Sequence, residues 1–260
     1  MSCMYPYRTR FKKEIVAEFL PPARYDLKKK QKVVILCDGA PGVPKNRSLV
    51  QFFAKKGYWA IYPRYRGTWE SDGKFLEFSL EKDLLDVIDQ LPKGFKTMGD
   101  AHHGKTTKTW KIALSTIYVI GGSFGGPAAI FASKDPRVMK VVAISPVVEW
   151  RAPSKAEPMP WLEKFFLAGF GNGYRFSHKN WKKLESGKFY NPLPRWREFD
   201  GKKILIYHAK DDRSVRWNEV SQFAKLTHAT IVLRKRGGHL GKDLLTRPAE
   251  FRRIQKFFRA

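Results

Sequence analysis

Gly121-Gly122-Ser123-Phe124-Gly125-Gly126 stands between two stretches of different rhythm. Before it, Ser115–Gly121 (STIYVIG) is a run of apolar and β-branched residues that predicts a strand. After it, Phe124–Lys134 predicts a helix. A serine caught between them sits on a turn so tight that its neighbours need almost no side chain. Gly121 and Gly125 flank that turn, and Gly126 lets the helix start close to the sheet. The pattern is G-x-S-x-G in a strand–turn–helix context. It pushes the Ser123 hydroxyl beyond the sheet edge and aims the Phe124 N–H at the spot where a carbonyl oxygen would gain charge. A phosphate-binding loop is the rival reading of such a glycine run. No Gly-Lys-Ser/Thr follows it, and it begins only at residue 121 rather than after a first strand.

On either side of this turn, strands and helices alternate. Residues 10–20 read as a first strand. Lys32–Cys37 (KVVILC) is a second, followed by the loop Asp38–Pro44 (DGAPGVP). Asn46–Lys56 fits a helix, Tyr58–Tyr62 a strand, and Ser79–Leu91 a helix with Ser79 as its N-cap. Met139–Ile144, Lys203–His208 and Thr230–Leu233 are further strands; Val215–Leu226 and Pro248–Phe258 are helices. The strands are continuous Val/Ile runs, as expected when both faces are buried. The implied fold is α/β, a mostly parallel doubly wound sheet. Two stretches break the rhythm. Residues 92–111 are polar and basic and read as an exposed loop or hairpin. Residues 147–200 carry Trp150, Trp161, Phe165, Phe166, Phe170, Tyr174, Phe176, Trp181 and Tyr190, and read as a helical cap inserted within a single domain over 1–260.

Composition narrows the class. The chain has 260 residues with 43% hydrophobic, enough apolar surface for an ordinary core, so a disordered chain is excluded. Two cysteines, Cys3 and Cys37, exclude a disulfide scaffold and make a reducing cytoplasm the default. No apolar run approaches the ~18–20 residues of a membrane span, and the first residues lack the apolar core of a secretory signal. Fifty Lys and Arg against 24 Asp and Glu give a net charge of +26. The basic residues are spread along the chain without a zinc-finger, RNA-binding-sheet or KH signature, so no nucleic-acid partner is expected. A solvated basic surface is the plain reading; steering of anionic substrates or adhesion to polyanions is the sharper one. Oligomeric state is not legible.

A serine hydroxyl needs a base to take its proton. In this strand order the helpers follow later strands: an acid first, then a histidine after the last. His239 lies after the final strand behind Gly237-Gly238 and is the base by position. His102, His103, His178, His208 and His228 fall in loops, the cap or strand ends, where packing or surface roles are expected. The acid is open between Asp211 and Asp212, which share one turn. The one not facing His239 is expected to cap the helix near Val215. A second oxyanion donor belongs in the loop after Lys32–Cys37: the Ala40 N–H, with Gly39 as rival. Asp38 is expected to be a structural loop residue. No metal or cofactor is expected, because His102-His103 has no third partner at ligand spacing.

On these residues the chain resembles the α/β-hydrolases. It is similar to prolyl-oligopeptidase-like catalytic domains in GGSFGG (121–126), in Tyr65-Arg66-Gly67, and in His208-x-x-x-Asp212-x-x-Val215. It is similar to cinnamoyl and feruloyl esterases in Arg66-Gly67-Thr68-Trp69-Glu70-Ser71-Asp72-Gly73-Lys74-Phe75, in Asp83, and in an insert before the acid strand. It differs in having Asp38-Gly39 where His-Gly is usual. The resemblance implies a triad of Ser123, His239 and Asp212, with the Ala40 and Phe124 amides as oxyanion hole. It also implies a small-molecule acyl substrate cleaved through an acyl-enzyme. Ester hydrolysis is the first expectation and a small serine peptidase or amidase the second. A basic polyanion-binding protein on a hydrolase scaffold is the remote third.

Overall fold

In the computed structural model, residues 5–99, 107–113, 115–152 and 156–260 are described. Cys3, His102 and His103 lie outside them. Among the described residues ten strands form one sheet: β1 (Tyr7–Phe11), β2 (Ile15–Leu20), β3 (Gln31–Cys37), β4 (Trp59–Pro63), β5 (Phe95–Met98), β6 (Thr109–Trp110), β7 (Ser115–Gly122), β8 (Val138–Ile144), β9 (Ile204–Ala209) and β10 (Thr230–Arg234). Their order is β10-β9-β8-β7-β3-β4-β2-β1-β5-β6. From β10 through β4 neighbouring strands are parallel; from β4 outward through β6 they are antiparallel. The sheet is therefore mostly parallel where the Ser123 turn sits, with an antiparallel extension.

The helices are α1 (Arg47–Lys55), α2 (Glu81–Gln90), α3 (Gly126–Ala132), α4 (Met159–Phe170), α5 (His178–Glu185), α6 (Trp217–Thr227) and α7 (Pro248–Arg259). The period-2 pleat splits β3 between two cores. Val33, Ile35 and Cys37 pack with α2, α3 and α6, while Val34 and Leu36 pack with α1 and α7. This is the doubly wound arrangement the uninterrupted apolar strands predict.

Two local expectations change, and the stretch 92–111 follows its hairpin reading with the antiparallel pair β5–β6. The first strand is a hairpin, β1–β2, whose turn uses Lys12 and Lys13 at φ +49 and +63. Residues 92–111 contribute strands β5 and β6 to the sheet edge. Ser79 does not cap α2: its hydroxyl is turned to the Glu81 carboxylate, and Leu80 occupies the cap position.

Arg66, in the segment after β4, ties the β1–β2 turn to α2 (Glu81–Gln90). Its guanidinium reaches Glu14 at 2.5 Å, Asp83 at 2.5 Å and Asp86 at 2.8 Å. Asp83 also accepts the Arg66 backbone N–H at 2.8 Å. The Asp83 side chain is only 4% exposed. Burial pushes its carboxyl up to about 6, against the opposing pull of the Arg66 amide and charge. Arg66→Leu would strand that carboxylate, which costs about 3–5 kcal/mol for a broken buried pair. An acid whose folded-state pKa is raised loses stability as pH climbs above its unfolded value. The loss is thus expected to be larger at pH 8 than at pH 5, read from urea unfolding of both proteins. An equal loss at both pH values would mean Asp83 is not the stranded group.

Candidate active site

Ser123 follows the last residue of β7 and opens a short 3-10 turn (Ser123–Gly125) that leads into α3. Its φ is +52, a left-handed conformation that costs a non-glycine residue roughly 1–3 kcal/mol. The neighbours explain how the turn holds. A Cβ at Gly121 would meet the Gly125 carbonyl oxygen at 2.2 Å, and one at Gly125 would meet the Asp38 carbonyl oxygen at 2.1 Å. Only glycine permits these approaches. The turn is braced from the 147–200 segment by buried Tyr190. Its hydroxyl donates to the Phe124 carbonyl at 2.7 Å and accepts the Ala128 N–H at 3.0 Å. Burial holds the Tyr190 phenol well above its usual range, so it remains a donor.

Asp212 and His239 come together. His239 Nδ1 lies 2.9 Å from Asp212 Oδ2. The other oxygen, Oδ1, accepts the Ser214 and Val215 amides at 2.9 and 3.0 Å. Burial works against the charged form of Asp212, but the bond from His239, the Val215 amide and the charges of His239 and His208 prevail. Its carboxyl is held below the usual range. An ionised carboxylate only accepts, so His239 Nδ1 carries the hydrogen of this bond and Nε2 lies on the side of the ring away from Asp212.

Asp211 departs from expectation. It does not cap the helix near Val215; α6 begins at Trp217, and the amides of Ser214 and Val215 belong to Asp212. Asp211 instead accepts the N–H groups of Gly237 and Gly238 at 3.2 and 2.9 Å. The two neighbouring aspartates thus serve the same histidine in different ways. Asp212 holds the imidazole, and Asp211 holds the backbone that carries it. His208 is fully buried, bonds the Val215 carbonyl at 3.1 Å, and is held below the usual imidazole range chiefly by burial. It is part of the support for the acid turn, consistent with a packing role.

Ser123, Phe124 and Ala40 line one cleft together with Ser214 and Val215 of the acid turn. The cleft encloses about 580 Å³, open space at its mouth included. Among the described contacts, Ser123 makes no hydrogen bond to His239; such bonds often tighten only with substrate in place. The His239 turn is tied to the segment that follows β8. Leu240 N–H donates to Ser145 Oγ at 3.0 Å, and two residues further Val147 N–H donates to the Ser123 carbonyl at 3.2 Å.

The loop bearing Ala40 is moored as well. Asp38 accepts from Asn46 Nδ2 at 3.1 Å, from the Tyr62 hydroxyl, and from Lys242 Nζ at 2.7 Å. Asp38 is thus structural, as expected. Tyr190, Ser145 and Lys242 had no sequence signature: each acts on a backbone carbonyl, a backbone amide or a loop carboxylate far away in the chain. The cleft also holds Glu149, Glu157 and Glu219. Glu149 bonds Arg151 and Asn191, and Ser214 Oγ donates to Glu157 at 2.6 Å.

A serine on a strained strand-to-helix turn, in a doubly wound sheet with a carboxylate-held histidine, defines a serine hydrolase of α/β-hydrolase fold. Residues 44–260 match the model of the prolyl oligopeptidase family, and the chain belongs to that family. No curated protein matches it in sequence. Among solved structures, an esterase of Pyrococcus furiosus is similar at 20% identity with a TM-score of 0.66, covering 99% of this chain and 91% of its own. An esterase of Thermogutta terrifontis, a planctomycete, is similar at 15% identity and TM-score 0.61 over 98% and 91%. An acylaminoacyl peptidase of Pyrococcus horikoshii is similar at 18% identity and TM-score 0.65, covering 98% of this chain but 41% of its own. Esterases and a peptidase thus share the fold.

Proposed function

We propose that the chain hydrolyses carboxylic esters through an acyl-enzyme on Ser123. The observation that carries this reading is the Asp212–His239 bond, made by a turn that shares a cleft with Ser123. In the proposed cycle Ser123 Oγ bonds to the acyl carbon while His239 Nε2 takes its proton. His239 then protonates the departing alcohol as the carbon–oxygen bond breaks. Water, deprotonated by the same nitrogen, releases the acid and restores Ser123. Asp212 keeps the imidazole in the right tautomer and stabilises the imidazolium. The Phe124 and Ala40 amides receive the oxyanion, an effect of about 3–4 kcal/mol per donor.

Residues 147–200 act in this proposal as a cap. Trp150, Met159 and Leu162 of that stretch line the cleft beside Phe124 and give it an apolar wall. Such a wall suits an aromatic acyl group of the cinnamoyl or feruloyl kind. Cytoplasmic residence belongs to the same proposal, with Cys37 buried as a free thiol.

A specific feature favours a second reading. Glu149, Glu157 and Glu219 bring three carboxylates to the cleft, the chemistry that would hold the amino group of an aminoacyl amide. The test is a panel of short p-nitrophenyl esters, cinnamates and aminoacyl amides with wild type and Glu157→Gln. The ester reading expects turnover of uncharged esters that Glu157→Gln leaves in place. Turnover confined to amino-bearing amides, and lost in Glu157→Gln, would establish the peptidase reading instead.

A further inference from the structure

Helix α4 is apolar around most of its circumference, yet only one side of it is buried. Its sequence is MPWLEKFFLAGF, and Met159 and Phe166 face inward. Phe166 packs on Trp181 of α5 with ring centres 5.0 Å apart. On the outer side Trp161, Phe165 and Leu167 are 47%, 42% and 49% exposed. The Trp161 and Phe165 rings stack on each other at 5.1 Å with planes 7° apart, forming one flat aromatic plate. A helix with so little polar surface is normally buried on all sides. Contiguous exposed apolar surface of this kind marks an interaction site.

The surroundings of the plate decide what it meets. Lys164 stands exposed within it, and α5 beside it reads HKNWKKLE with Lys179 and Lys182 exposed. The two helices touch through His178 and Glu163, 2.8 Å apart. Over α4 and α5 together there are four lysines and two glutamates, 4 − 2 = +2. The whole chain carries +26. Two copies meeting plate to plate would bring like charges of that size together, which opposes self-association. An aromatic plate with exposed Lys164 on its own helix and exposed Lys179 and Lys182 on the next, the last bonded to Glu185 at 2.8 Å, is instead complementary to an interface that is apolar within and anionic at its surface.

We propose that the outer face of α4 docks this protein on anionic lipid surfaces. Trp161 and Phe165 enter the headgroup boundary, and Lys164, Lys179 and Lys182 meet the anionic headgroups. The opposite side of the same helix supplies Met159 and Leu162 to the cleft beside Ser123. Docking would thus bring the cleft close to the lipid surface. Among the described residues no helix is long and apolar enough to cross a membrane, so the contact is peripheral. The binding step stands whether or not the ester reading of the cleft holds.

The experiment is vesicle co-sedimentation of the full chain with phosphatidylglycerol–phosphatidylcholine vesicles and with phosphatidylcholine alone. Wild type, Trp161→Ser/Phe165→Ser and Lys179→Glu/Lys182→Glu are compared. Wild type is expected to sediment with the anionic vesicles and to be released by high salt. Each double variant is expected to bind about tenfold more weakly or worse. Circular dichroism and thermal melting establish that the variants are folded. The lysine variant changes only exposed positions, so it keeps the test open if the aromatic one unfolds. Equal binding by both variants and wild type, or no wild-type binding to anionic vesicles, overturns the proposal. So does a wild-type dimer in solution that Trp161→Ser/Phe165→Ser converts to monomer, because the plate would then be covered by a second copy.

Discussion

Ser123→Ala is expected to lower turnover of a short p-nitrophenyl ester by on the order of 10⁶-fold in kcat, with residual rate left to the oxyanion donors and binding alone. Fluorophosphonate labelling of the chain should vanish with it. The reason is geometric. Ser123 is held at φ +52 by contacts on both sides, so its hydroxyl has a fixed exit direction. Alanine can occupy the same backbone conformation at a similar strain, so thermal stability should change little. Labelling that survives in Ser123→Ala would move the nucleophile elsewhere. Ser145 is no substitute: it is fully buried and its oxygen already accepts the Leu240 amide.

Asp212→Asn is expected to cost about 10⁴-fold in kcat, as when a triad acid becomes an amide and the imidazole adopts the wrong tautomer. The asparagine amide would donate to His239 Nδ1, moving the hydrogen to Nε2, where the base is needed. Asp211→Asn should retain most of the rate. Its oxygen can still accept the Gly237 and Gly238 amides, and its side chain does not touch the imidazole. Comparing the two variants by kcat on one ester assigns the acid; a larger loss in Asp211→Asn would reassign it. The acid also contributes to stability. A carboxyl held below its usual range stabilises the fold above its unfolded pKa, and that contribution disappears as pH falls through the folded value. The stability gap between wild type and Asp212→Asn should therefore close in acid.

What the sequence revealed was set by how directly a residue type records its constraint. The turn at 121–126 was legible because only glycine fits where an added Cβ would stand about 2 Å from a carbonyl oxygen, and Gly121 and Gly125 are two such positions. The sheet was legible because β3, β7 and β8 must be apolar on both faces. The β1–β2 turn was not, because two lysines occupy left-handed backbone positions that glycine or asparagine usually signal. The role of Asp211 was hidden for another reason. Its partners are main-chain N–H groups 26 and 27 residues away, and any residue could supply them. Arg66 and Asp83 stood out only through resemblance; the structure joins them into one buried ion pair.

Lys242 couples the two sides of the cleft. It comes three residues after His239, and its ammonium grips Asp38, 204 positions earlier, while leaning on the Cys37 carbonyl at 3.4 Å. The return of the chain after β10 and the loop after β3 are thereby cinched like two sides of a buckle. The stretch that bears the imidazole and the loop that bears Ala40 thus share one contact. In the proposed cycle this one ammonium therefore joins the stretch that bears the proton acceptor to the loop that bears the Ala40 amide.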